Sequence, residues 1–219
     1  MIFFNSYHPN AVYIDYRENT FSAYFKTIKE QFPDKIYIVR VDSGKPYEEL
    51  LKEGFTECRK TYDIVLDKKC LFNSSEQGNN NSFILSEALV FKWYQIYRET
   101  HQINPVREYE PQIFENLLKR DLDTNHSIVL FNKYREITAY ALIYFNNETY
   151  EIGYVYFKNY KYKKRLEELL NNKIRNIFDL GKEYISIEVD DTDKYAYELF
   201  NDYIKTQTQF QKTFIYKNI

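Results

Sequence analysis

Five cations crowd one short stretch of this chain: Lys158, Lys161, Lys163, Lys164 and Arg165 stand at the start of an amphipathic run. A helix N-terminus carries partial positive charge, so cations there are disfavoured unless an anion is held nearby. Two readings stay open, a site for phosphate or another polyanion, and a solvated basic surface paired with Glu167 and Glu168. Cys58 and Cys70, with His8, His101 and His126 beside them, form no zinc spacing and no disulfide framework. Reduced thiols, a cytoplasmic location and no metal are expected. Gly44, Gly54, Gly78, Gly153 and Gly181 are too far apart to build a Gly-x-Gly-x-x-Gly turn or a Walker loop, which removes the common nucleotide-binding folds.

Composition narrows the classes further. The chain has 219 residues and a formal net charge of -2, so no whole-molecule field attracts nucleic acid or an acidic membrane surface. Met1-Ile2-Phe3-Phe4-Asn5 has no basic region leading into an apolar core, and no stretch approaches the roughly 18 apolar residues of a membrane span. A soluble chain with neither membrane nor nucleic acid as partner is expected. Aromatic residues reach 19%, with 23 Tyr and 17 Phe. Stacking platforms for bases are one use of such residues, but their spread over every β-rich run favours half-buried sheet surfaces.

The elements that must position these residues alternate. Asn10 to Tyr16 is β-rich, and Phe21, Phe25, Ile28 and Phe32 then recur at helical spacing until Pro33. Ile36 to Val41 reads as a strand, Glu48 to Glu53 as a helix closed by Gly54, and Cys58 to Leu66 as a second strand. Residues 69 to 83 are polar and aperiodic, which predicts a linker between a module at 1–68 and a domain at 84–219. Beyond it, helices are expected over Ile84 to Thr100 and from Pro111 through Lys119. Strands follow at Ser127 to Asn132, Thr138 to Phe145 and Tyr150 to Phe157. Leu166, Leu169, Leu170, Ile174, Ile177 and Phe178 mark one face of a long helix ended by Gly181. A strand Tyr184 to Val189, a helix from about Asp193 to Ile204 and a strand Thr208 to Tyr216 complete the chain. Val41-Asp42 answers Val189-Asp190, and Lys60-Thr61-Tyr62 answers Lys212-Thr213-Phe214, so the first module reads as a partial copy of the end of the second.

The order after residue 84 resembles the GCN5-related N-acetyltransferase (GNAT) superfamily. Glu151-Ile152-Gly153-Tyr154-Val155-Tyr156 is similar to that family's fourth strand, and Val189-x-x-x-Asp193-x-x-Ala196-x-x-Leu199-Phe200 to its Val-x-x-x-Asn-x-x-Ala-x-x-Leu-Tyr pattern. Leu50 to Phe55 resembles the Gly-Phe ending of the same helix in the first module. The resemblance implies an α/β (α+β) fold, a mixed sheet flanked by helices and preceded by a smaller GNAT-like half module. It also implies transfer of an acetyl group from acetyl-CoA to an amine on a small molecule or peptide. The implied cofactor contacts are Tyr154, Val155, Tyr156, Phe157 and Asp193 along the acyl arm, with Lys161, Lys163, Lys164 and Arg165 at the phosphates. Glu151 is the implied base for the incoming ammonium, and a solvated carboxylate at a strand start is its bland alternative.

Two departures accompany the resemblance. The family's Gln/Arg-x-x-Gly-x-Gly/Ala phosphate loop is replaced by Lys161-Tyr162-Lys163-Lys164-Arg165-Leu166, without either glycine. Phe200 stands where the family places its acid tyrosine, leaving Tyr197 or Tyr203 as substitutes. A catalytically silent GNAT fold, kept for binding or regulation, is therefore the second reading.

Overall fold

The computed structural model describes residues 1–17, 19–68 and 85–217. Chain order is β1 (Ile2–Phe3), β2 (Ala11–Asp15), α1 (Phe21–Gln31), β3 (Ile36–Asp42), α2 (Glu48–Lys52) and β4 (Thr56–Leu66). Then come α3 (Glu87–Thr100), α4 (Pro111–Lys119), β5 (Ile128–Phe131), β6 (Ile137–Phe145), β7 (Tyr150–Phe157) and α5 (Tyr160–Asp179). β8 (Ile185–Asp190), α6 (Lys194–Leu199), α7 (Asn201–Ile204) and β9 (Gln211–Lys217) close it. The expected linker, 69–83, lies outside the described residues.

All nine strands among the described residues join one mixed sheet in the order β1-β2-β3-β9-β4-β8-β7-β6-β5. The final strand does not stay with the segment that carries it. β9 runs antiparallel between β3 and β4, while β4 pairs antiparallel with β8 from Thr61↔Asp190 to Leu66↔Ile185. Lys60 thus lies directly opposite Lys212, so the matching Lys-Thr-aromatic segments face each other across the middle of the sheet. The split at residue 68 divides the chain but not the sheet.

Among the described residues, the three largest of four apolar clusters hold the layers. On one face, Leu166, Leu170, Ile174, Ile177 and Phe178 of α5 pack on Val155, Phe157, Ile187 and Val189. Burying each such side chain contributes on the order of 1.5–3 kcal/mol, which makes the periodic stripe the main anchor of this helix. Asn159 caps its start by accepting from the Tyr162 amide, and Gly181 follows its end at φ 86°. On the same side of the first half, Phe21, Phe25 and Ile28 of α1 pack with Phe55 and Phe214. On the opposite face, Trp93, Tyr94 and Tyr97 of α3 pack with Phe114 of α4 over Tyr140, Leu142 and Tyr156.

Most boundaries fall within two residues of the periodicity, β4 starting at Thr56 rather than Cys58, and two near the C-terminus differ more. The helix expected over 193–204 breaks at Phe200, whose buried ring anchors the turn between α6 and α7. The last strand starts at Gln211 rather than Thr208, because its pairing partners begin at Asp42 and Thr61. The short edge strand β1 had no sequence signal, since two residues are too few to show a period.

Candidate functional site

The parallel strands β7 and β8 pair only at Tyr150↔Ile185 and Glu151↔Ser186, and then diverge. At that point β7 also carries a bulge: Leu142 faces Tyr154 and Ile143 faces Ile152, leaving Gly153 as the extra residue. The bulge resets the alternation of side chains. Ile152, Val155 and Phe157 point into the α5 cluster, while Glu151, Gly153 and Tyr154 all line a pocket on the other face. A side chain at Gly153 has no room, because a Cβ there meets Tyr144 Cε2 at 2.7 Å.

This pocket has a volume of about 500 Å³ and runs over the sheet from β6 to β2 beneath α3 and the loop that follows it. Its floor is a row of charged and hydroxyl side chains contributed by both halves. Arg59 Nη1 donates to Asp190 Oδ2 at 2.7 Å, and Thr61, which is fully buried and outside the lining, donates its hydroxyl to Asp190 Oδ1 at 2.6 Å. Arg40 approaches Glu188 at 3.8 Å from across the sheet. The roof holds His8, which contacts the Tyr97 hydroxyl at 2.9 Å and the Asn104 carbonyl at 2.8 Å, while the Asn104 amide donates to the Tyr13 hydroxyl. Burial lowers the His8 pKa and brings His101 down to about 4, so both rings are neutral at pH 7.

Glu151 is not restrained by an ion pair among the described residues, and desolvation raises its carboxyl above the usual range. Asp193 accepts from the amides of Tyr195 and Ala196 as the cap of α6, yet burial outweighs those bonds and pushes it up to about 6. Cys58, half-buried with its thiol donating to the Thr213 carbonyl, is raised to about 11 and is inert at neutral pH.

The structure brings some of the sequence-derived site residues together and separates others. Glu151, Tyr154 and Asp193 line the pocket. Val155 and Phe157 are buried under α5 and Tyr156 under α3. Tyr195 is T-shaped to both Tyr156 and Phe157, with centroids at 5.1 and 5.5 Å. Those two rings point to opposite faces of β7, so a ring touching both sits at the open edge of the strand, where β8 has moved away. Tyr197 packs toward Tyr62, 6.4 Å between centroids, and is not among the residues lining the pocket.

The basic cluster sits at the start of α5, with Lys158 just before the helix and Lys161, Lys163, Lys164 and Arg165 in its first two turns. Only Lys158 and Asn159 separate β7 from the helix, and Asn159 occupies the Tyr162 amide. Lys163 pairs with Glu167 at 2.9 Å and Arg165 with Glu168 at 3.1 Å, whereas Lys161 and Lys164 are exposed. A groove of about 390 Å³ between α5 and α6/α7 holds Lys163 and Lys164 together with Glu167, Glu168, Glu198 and Asp202. Residues that the sequence reading missed are Arg59, Asn104, Tyr144 and Thr213. Each sits in a stretch whose own pattern reads as strand or loop, and they converge only through the exchanged strands.

Solved structures share this architecture. A GCN5-related N-acetyltransferase from Sphaerobacter thermophilus aligns over 99% of this chain and 75% of its own, with a TM-score of 0.70 and 10% identity. The chain has a GNAT-like fold. A functionally unknown conserved protein from Staphylococcus epidermidis aligns over 98% of this chain and 87% of its own, with a TM-score of 0.57 and 13% identity. N-myristoyltransferase from Saccharomyces cerevisiae, solved with bound myristoyl-CoA and inhibitors, aligns over 95% of this chain and 60% of its own, with a TM-score of 0.51 and 13% identity. No family model and no curated protein sequence matches. At these identities the GNAT-like likeness is one of fold.

Proposed function

We propose that this GNAT-like protein is an acyl-CoA-dependent N-acyltransferase that moves an acetyl group from acetyl-CoA to an amine. The observation that carries the reading is the coincidence at one place of the β7/β8 divergence, the Gly153 bulge and the Glu151 carboxylate. When bound, a thioester supplies an activated carbonyl. The backbone of a bulge, freed from regular pairing, can aim an amide at such an oxygen, and the absence of a side chain at Gly153 keeps the approach open. Glu151, its proton affinity raised by desolvation, accepts a proton from the incoming ammonium. Tyr154 lines the same pocket, its ring held by Trp93, Tyr97 and Tyr144.

The residues present suit the acyl end of CoA better than its diphosphate end. Lys161 and Lys164 are the groups that would hold phosphate by charge, without the close backbone approach that glycines allow. A specific observation favours the second reading, a catalytically silent GNAT fold: Tyr195 occupies the edge of β7 where an acyl arm would lie.

The test is acetyl-CoA turnover against a panel of amines, read as thiol release, for wild type and Glu151→Gln. Turnover that falls about 10²–10⁴-fold in the variant, with the fold retained, supports the transferase. Absence of both turnover and CoA binding in the wild type selects the silent fold.

A further inference from the structure

Buried polar atoms without partners converge on the sheet-face pocket. Arg59 Nε, Asn104 Oδ1, the Tyr144 hydroxyl and the Thr213 hydroxyl are buried with no hydrogen-bond partner among the described residues, and all four residues line it. Asn104 is 7% exposed and Thr213 1%, so water does not reach them freely. Leaving such a group unpaired costs its full desolvation penalty, and a cluster of them in one cavity points to a ligand that completes them.

The identity of the missing partner follows from charge and from donor and acceptor types. Three arginines and five carboxylates line the pocket, and its two histidines are held neutral. The excess is negative and favours a cation. The arginines of the floor are already answered, Arg59 by Asp190 at 2.7 Å and Arg40 by Glu188 at 3.8 Å, so a carboxylate or phosphate placed there would meet carboxylates. The unpartnered set mixes a donor (Arg59 Nε), an acceptor (Asn104 Oδ1) and two hydroxyls that can do either. Neutral hydroxyls are the groups that satisfy such a mixture.

We propose that this pocket binds a polyhydroxylated amine of amino-sugar type, its ammonium at Glu151 and its hydroxyls on Arg59, Asn104 and Thr213. The proposal rests on the transferase reading only for the fate of the amine, since the binding needs no acyl donor. The cavity volume of about 500 Å³ lies within the range of small-molecule sites and suits one or two sugar rings.

Calorimetry without CoA tests it, using chitobiose (the glucosamine disaccharide) as the probe. Cellobiose lacks its amines, N,N′-diacetylchitobiose lacks its charge, spermidine lacks its hydroxyls, and glutamate adds a carboxylate. Chitobiose should bind at least about 10-fold more tightly than each of these, and Glu151→Gln should weaken it about 5-fold or more. Thr213→Val and Tyr144→Phe should each weaken it about 3–10-fold while leaving the melting temperature unchanged or higher. That opposite sign is specific to a ligand site, because replacing an unpartnered buried hydroxyl by an apolar isostere relieves the free protein. No chitobiose binding by the wild type, equal binding of spermidine or glutamate, or indifference to both hydroxyl removals overturns the proposal. Chitobiose binding without turnover leaves it standing and removes the transferase reading instead.

Discussion

The two halves of the sheet run strand, helix, strand, helix, strand, and they differ at one joint. In the first half the parallel pair β2/β3 is zipped through five successive positions, from Ala11↔Ile36 to Asp15↔Arg40. In the second, β7/β8 holds at two positions and opens. The zipped pair uses its backbone groups on each other, and a ligand cannot add to them. The open pair leaves an edge, and beside it β7 carries the bulge that turns Gly153 and Tyr154 to the same face. The same order of elements therefore gives a zipped pair in one half and an open edge beside the pocket in the other. The exchanged strands β4 and β9 join them, so that Arg59 and Thr213 reach a pocket whose carboxylate comes from β7.

Filling the bulge should break this contrast most severely. Gly153→Val drives a side chain into Tyr144, which lies 2.7 Å from where a Cβ would be, and that ring is packed in the cluster under α3. Loss of about 10²-fold or more in turnover and a cost of about 1–3 kcal/mol in urea unfolding are expected. Gly44→Ala, with nothing within 4 Å, is the control in the first half and should change neither. Equal effects of the two substitutions would mean that the bulge is not special.

Emptying the open edge should sharpen the contrast. Tyr195→Ala removes the ring that touches both Tyr156 and Phe157, and CoA binding by calorimetry should tighten about 3–10-fold at a stability cost of about 2–4 kcal/mol. Unchanged or weaker CoA affinity in a folded variant would show that Tyr195 does not obstruct the edge.

The smallest expected effect is a change in pH dependence. Asp193 is raised from 3.8 to about 6 in the folded state, so the native form binds the proton more tightly than the unfolded chain does. Its contribution is most favourable below pH 3.8 and is lost as pH rises through about 6. Asp193→Asn keeps a capping oxygen and removes the titration. The stability of the variant relative to wild type should therefore climb between about pH 4 and 6, by up to about 3 kcal/mol, and stay level above that. A difference that is flat across this range, measured by urea unfolding at several pH values, removes the buried-carboxylate account.

Local pattern determined a good deal about this protein. The apolar stripe from Leu166 to Phe178 specified α5, Pro111 opened α4, and alternation placed β6, β7 and β8, because each signal needs only neighbours within one or two turns. Glu151 lies on a strand that reads plainly, but its candidacy as a base came only with the resemblance to the GNAT superfamily. The lysines near 161 were legible as a cluster, but only packing decided that Lys163 and Arg165 lean on Glu167 and Glu168. Tertiary structure alone decided that β9 inserts between β3 and β4, since strand choice depends on the face and edge that the rest of the sheet presents. It alone decided that Tyr154 faces the pocket while Val155 and Phe157 do not. A bulge costs one residue of register, leaves no mark on composition, and reverses every side chain beyond it.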